Sequence, residues 1–98
     1  MMVNIESLDI NYILKGEGEN VLVLHGWGAS IDTVAPIINL LKKDFKVYAV
    51  DLPGFGNSQK PKEVFSSEDY ARIIKKFADA MDIKKAIVIG HSFGGKIS

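Results

Sequence analysis

A chain of 98 residues has room for one small domain, and 47% apolar with 24% charged residues is a globular composition, not a disordered one. Lys+Arg and Asp+Glu both number 12, so a neutral balance gives no electrostatic reason to expect nucleic acid or an anionic membrane as partner. The absence of cysteine removes disulfides, thiolate metal sites and a cysteine nucleophile.

The opening Met1-Met2-Val3-Asn4-Ile5-Glu6-Ser7 has neither a basic segment nor the apolar run of a signal peptide. No apolar stretch approaches the ~20 residues that span a bilayer. A cytoplasmic protein with no membrane partner is therefore expected. Residues 3–9 and 10–14 alternate with a period of two, through Val3, Ile5 and Ser7 and then Ile10, Tyr12 and Leu14, which predicts an antiparallel hairpin. Gly16-Glu17-Gly18-Glu19-Asn20 is a turn cluster. Val21-Leu22-Val23-Leu24 is continuously apolar, as in a parallel strand covered on both faces, and His25-Gly26-Trp27-Gly28 ends it.

Helical spacing takes over at 32–43, where Val34, Ile37, Ile38 and Leu41 share a face. Asp32 or Thr33 is expected to cap its start, with Pro36 in the first turn. A strand at 45–50 follows, then the turn-rich loop Asp51-Leu52-Pro53-Gly54-Phe55-Gly56-Asn57-Ser58. Ser66 and Asp69 have capping-box spacing, and Tyr70, Ile73, Ile74, Phe77 and Met81 carry a helix to about Asp82. The run Ala86-Ile87-Val88-Ile89 is a short buried strand. The order is a β-hairpin and then βαβαβ, an α/β class with a mostly parallel sheet in one domain over 1–98. No repeat, linker or low-complexity segment interrupts it.

Directly after the last strand stands Gly90-His91-Ser92-Phe93-Gly94, the G-x-S-x-G spacing of a nucleophile elbow. A serine nucleophile needs a sharp strand-to-helix turn, and Gly90 and Gly94 leave room for it. The N-terminus of a following helix would aim N–H groups at a developing oxyanion. In open α/β sheets the ligand site lies beyond the carboxyl ends of the strands. The stretches beginning at His25, Asp51 and Gly90 all fall at such ends.

In that order and context, the three stretches resemble the N-terminal part of the α/β-hydrolase fold family. The likeness is to the branch with small carboxylesterases, C–C bond hydrolases and haloperoxidase-like enzymes, and it covers nearly the whole chain. The resemblance implies that Ser92 is the nucleophile. It implies that the backbone N–H groups of Phe93 and Trp27 are the oxyanion donors, with the same two residues beside the substrate. It implies a structural His25 holding the oxyanion loop, a small ester or acyl substrate, and no cofactor. Serine at this position argues against the dehalogenases and epoxide hydrolases of the fold, which use aspartate there.

The family order is Ser, then Asp or Glu, then His. Only Phe93, Gly94, Gly95, Lys96, Ile97 and Ser98 follow Ser92, and none is an acid or a histidine. The chain is therefore expected to be an N-terminal hydrolase fragment, cut just after the elbow and inactive by itself. His91 precedes Ser92 in the turn and is expected to point away from it. Asp51 suits a hydrogen-bonding turn better than a catalytic acid. Two histidines and scattered carboxylates show no metal-ligand spacing. Gly54 and Gly56 lack the G-K-[ST] of a phosphate loop. The alternative is an inactive module that binds another copy, or the remainder of the fold, through its exposed last strand.

Overall fold

A computed structural model describes residues 1–25 and 30–90. The chain builds β1 (Met2–Ile5), β2 (Leu8–Lys15), β3 (Glu19–Leu24), α1 (Ile31–Leu41), β4 (Phe45–Val50), α2 (Ser67–Ala80) and β5 (Ile87–Gly90). The strands form a single sheet in the order β1-β2-β4-β3-β5. β1 and β2 are antiparallel, β2 runs antiparallel to β4, and β3 lies parallel to both β4 and β5. The result is a mixed sheet, antiparallel on the β1–β2 side and parallel on the β3–β5 side.

The continuous apolar runs of β3 and β4 follow from a helix on each face. Val21 and Val23 of β3, with Val47 and Ala49 of β4, pack against Ile31, Val34 and Ile38 of α1. The alternate residues Leu22, Leu24, Tyr48 and Val50 face Tyr70, Ile73, Ile74 and Phe77 of α2. A period-two strand buried on both faces has no polar position to spare until its end. The polar residues His25 and Asp51 stand at those ends.

Three local features differ from the expectation. The hairpin turns at Glu6-Ser7, so β1 is shorter and β2 starts earlier than the alternation suggests. Both residues have positive φ, 52° and 68°, the backbone of a two-residue primed turn without glycine. Glu6 is held there by Arg72 at 2.8 Å and Lys76 at 2.7 Å on α2. Helix α1 is capped by Ser30, not Asp32 or Thr33, and this puts Pro36 in the second turn. Asp32 and Pro36 are both exposed, so water can take the Asp32 carbonyl that Pro36 cannot serve. Ile37 is 39% exposed, and Ile31 takes its place in the buried stripe. The capping box of α2 matches the sequence reading: Ser66 N–H donates to Asp69 Oδ2 at 2.8 Å, and Asp69 N–H donates to Ser66 Oγ at 3.2 Å.

Candidate active site

The register of β3 sets the geometry. Leu24, its last residue, lies level with Val50 of β4 and with Gly90 of β5. Neighbouring strands are about 4.8 Å apart, so the three chain exits fall within roughly 10 Å along one line. β3 leads to a helix on one face and β4 to a helix on the other, the arrangement that opens a crevice at the carboxyl edge.

His25 is fully buried at 0% exposure. Its Nε2 accepts the Leu52 N–H at 2.9 Å. With Nε2 accepting, a neutral ring carries its proton on Nδ1, an assignment made from the bonding pattern. The ring also stands edge-on to Phe55, with centroids 5.6 Å apart. His25 thus links the end of β3 to the loop after β4; the oxyanion loop it was expected to hold lies outside the described residues.

Asp51 is 2% exposed and heavily bonded. Oδ1 accepts the Ile31 N–H, the first of α1, at 2.7 Å. Oδ2 accepts Asn11 Nδ2 at 2.9 Å and the Asn57 N–H at 3.0 Å. Its own N–H donates to the Asn11 carbonyl at 2.9 Å, and its carbonyl accepts from Ser58 Oγ at 2.5 Å. Ser58 Oγ in turn accepts the Asn11 N–H at 2.8 Å. Gly56, with φ of 53°, closes the turn so tightly that a Cβ there would overlap the Asp51 carboxylate. A buried carboxylate is tolerable when its lone pairs are filled, and these are filled by structural donors. Among the described residues no buried side-chain nitrogen or oxygen lacks a partner. Further along, Tyr70 of α2 donates its hydroxyl to the Pro53 carbonyl at 3.4 Å, and burial raises the pKa of that hydroxyl.

Trp27, Ser92 and Phe93, the residues expected to carry the chemistry, lie outside the described residues, as does His91. The structure brings together what flanks them: His25 and Ser30 on either side of 26–29, and Gly90 before 91–98. The sequence reading missed Asn11, Asn57, Ser58 and the Ile31 N–H as partners of Asp51. A faint signal was present, since Asn11 interrupts an otherwise apolar stretch between Ile10 and Tyr12. Among the described residues no three His, Asp or Glu side chains gather as a metal site. No helix among them is long and apolar enough to cross a membrane.

Comparison with known proteins agrees with this architecture. The soluble epoxide hydrolase of Corynebacterium sp. (strain C12) is 32% identical over 94 residues, covering 96% of this chain and 33% of that protein. The 2-hydroxy-6-oxo-6-(2'-aminophenyl)hexa-2,4-dienoic acid hydrolase of Metapseudomonas resinovorans is 30% identical over 97 residues, covering 95% and 33%. Among solved structures, a membrane phospholipase A described as a bacterial virulence factor superposes with a TM-score of 0.94 at 32% identity. That likeness covers 99% of this chain and 32% of the other. The N-acyl homoserine lactone degrading enzyme Est816 gives 0.93 at 26% identity, over 99% and 38%. The chain thus spans about a third of the length of the proteins it matches. Residues 19–98 match the family model for the alpha/beta hydrolase fold, and with the sheet order, the two covering helices and these relatives, the chain belongs to that family.

Proposed function

We propose that this chain supplies the nucleophile and oxyanion half of a serine hydrolase that cleaves a carboxylic ester, or a related acyl or C–C bond. Ser92 attacks the carbonyl, and the N–H groups of Phe93 and Trp27 stabilise the oxyanion. Water then hydrolyses the acyl-enzyme. The observation that carries this reading is the register of β5. Gly90, the first residue of G-x-S-x-G, stands level with Leu24, one residue before His25 and the Gly-Trp-Gly that follows it. A hydroxyl is a weak nucleophile without an adjacent base. His25 already accepts a backbone N–H and Asp51 is filled by structural donors, so in this reading neither is the base or its acid partner.

The relatives' names span an epoxide, a dienoic acid, a phospholipase and an N-acyl lactone. Serine at position 92 favours acyl chemistry among these. The test is p-nitrophenyl acetate and butyrate hydrolysis, with styrene oxide as the competing substrate. It is run on the 98-residue chain and on a protein extended by joining that chain to the downstream two thirds of an α/β-hydrolase relative, each with Ser92→Ala. Ester turnover by the extended protein, abolished in Ser92→Ala and absent in the short chain, is the expected result. Epoxide opening, or ester turnover that survives Ser92→Ala, overturns the reading.

One observation favours a second role. Ile87 and Val88 of β5 are 45% and 42% exposed, and among the described residues β5 pairs with β3 alone. An apolar edge strand of this kind recruits another strand, from a second copy or from the rest of the fold. Sedimentation of the 98-residue chain distinguishes the cases. A stable, cooperatively folded monomer at low micromolar concentration removes this second role.

A further inference from the structure

The first N–H of α1 takes its acceptor from a remote place. An N-cap side chain such as that of Ser30 can serve the second or third N–H of a helix but not the first, and the Ile31 N–H donates to Asp51 Oδ1 at 2.7 Å, 20 positions along the chain at the end of β4. Water would satisfy that first N–H equally well, whereas Asp51 also fastens the helix to the end of β4. The same spot holds the other side of the loop, since His25 accepts the N–H of Leu52, the neighbour of Asp51. Asn11 and Asn57 grip the second oxygen, so the carboxylate is held from three directions.

We propose that Asp51 is a positioning residue for the candidate active site, holding the start of α1 against the end of β4 so that His25 and Ser30 are anchored to one rigid point. This deepens the reading of Trp27 as an oxyanion donor and rests on it. Donors for an oxyanion act only when fixed to about 0.5 Å before the reaction begins. Both anchors are consecutive residues, Asp51 and Leu52, directly after the end of β4, whose parallel register with β3 is fixed through Val50, and this supplies that fixity.

Two variants release the clamp by different routes. Asp51→Asn turns an acceptor oxygen into a donor facing N–H groups. Gly56→Ala keeps the charge and displaces the carboxylate with a methyl group. The reciprocal swap Asn11→Asp with Asp51→Asn restores the bond between positions 11 and 51 and leaves an acceptor for the Ile31 N–H. The first readout is the ¹⁵N–¹H spectrum of the 98-residue chain. The cross-peaks of residues 26–29 and Ile31 are expected to move in both single variants and to return toward their original positions in the swap. They are expected to stay in place in Phe77→Leu, a core change on the α2 face of the sheet, opposite the face that α1 covers. Cross-peaks of 26–29 that stay put in Asp51→Asn, or that shift as much in Phe77→Leu, overturn the proposal.

The second readout is ester hydrolysis by the extended protein. Both single variants are expected to lower kcat about 10-fold, a part of the roughly 10²–10³ that deleting a whole oxyanion donor costs, with KM within about twofold of wild type. An unchanged kcat in a variant whose Ile31 cross-peak has moved overturns the proposal. If Ser92→Ala leaves turnover intact, the functional reading fails by itself, and the spectra still decide whether Asp51 positions the segment.

Discussion

Replacing His25 removes the buried acceptor of the Leu52 N–H. The ring is fully enclosed, and the N–H it accepts belongs to Leu52, also 0% exposed. His25→Phe keeps an aromatic ring against Phe55 but leaves the Leu52 N–H facing carbon. A buried donor without a partner costs about 1–3 kcal/mol. For a domain of about 100 residues each kcal/mol lowers Tm by roughly 4–8 °C, so a 2 kcal/mol loss corresponds to about 8–16 °C. His25→Gln makes the complementary change, carrying an amide oxygen to about the position of Nε2 while losing the ring edge. Urea unfolding followed by far-UV circular dichroism should rank wild type above Gln and Gln above Phe, with unchanged m. The Leu52 amide should exchange faster in the Phe variant alone. If Phe matches wild type to within ~0.5 kcal/mol, or outranks Gln, the Leu52 bond is not what this histidine contributes.

Three other changes probe separate parts of the framework. Glu6 is drawn down to about 2 from 4.5, first by its bond to Arg72 and then by Lys76. A folded-state value below the unfolded one means stabilisation present above pH 4.5 and lost as the pH falls toward 2. The Tm gap between wild type and Glu6→Gln should therefore close over that range and shrink in high salt, and a gap independent of pH contradicts the assignment. Phe77 is wholly buried, with Tyr12 and Tyr48 edge-on at 5.3 and 6.3 Å, so Phe77→Ala should cost about 3–5 kcal/mol in urea unfolding. Gly16 has φ of 82° and a Cβ there would collide with the Lys42 and Phe45 carbonyls, so Gly16→Ala should lower Tm despite the usual entropic gain of alanine, which a thermal melt checks.

The elements were legible because their periods are clean. Apolar runs of four residues, 21–24 and 47–50, marked β3 and β4, and i, i+3, i+4 spacing marked both helices. The Ser66–Asp69 capping box was readable because both of its bonds are local. What escaped was set at a distance. The Glu6-Ser7 turn lacks the usual Asn-Gly or Gly, and the ion pair that accompanies it comes from Arg72, 66 positions away. Ile37 has the right spacing for the core, but with the helix starting at Ile31 it falls at the edge of the buried stripe. Asp51 was read as a turn former, but its tie to Asn11 spans 40 positions and depends on β2 lying beside β4. No period records such a partner.

The two polar residues that end β3 and β4 are better understood as a pair than singly. Each terminates a strand that is apolar on both faces, where an unbonded polar side chain would be costly. Each meets a backbone N–H that the fold itself leaves without a regular partner: the first amide of a helix for Asp51, and the amide just past a strand end for His25. The donors need buried acceptors and the acceptors need buried donors, so each need meets the other. Both bonds lie at the carboxyl edge, where the register aligns the exits of three strands. A requirement of folding and a requirement of site geometry therefore fall on the same few atoms. Changes at His25 or Asp51 should alter stability and the candidate site together, whereas changes at Phe77 or Glu6 should alter stability alone.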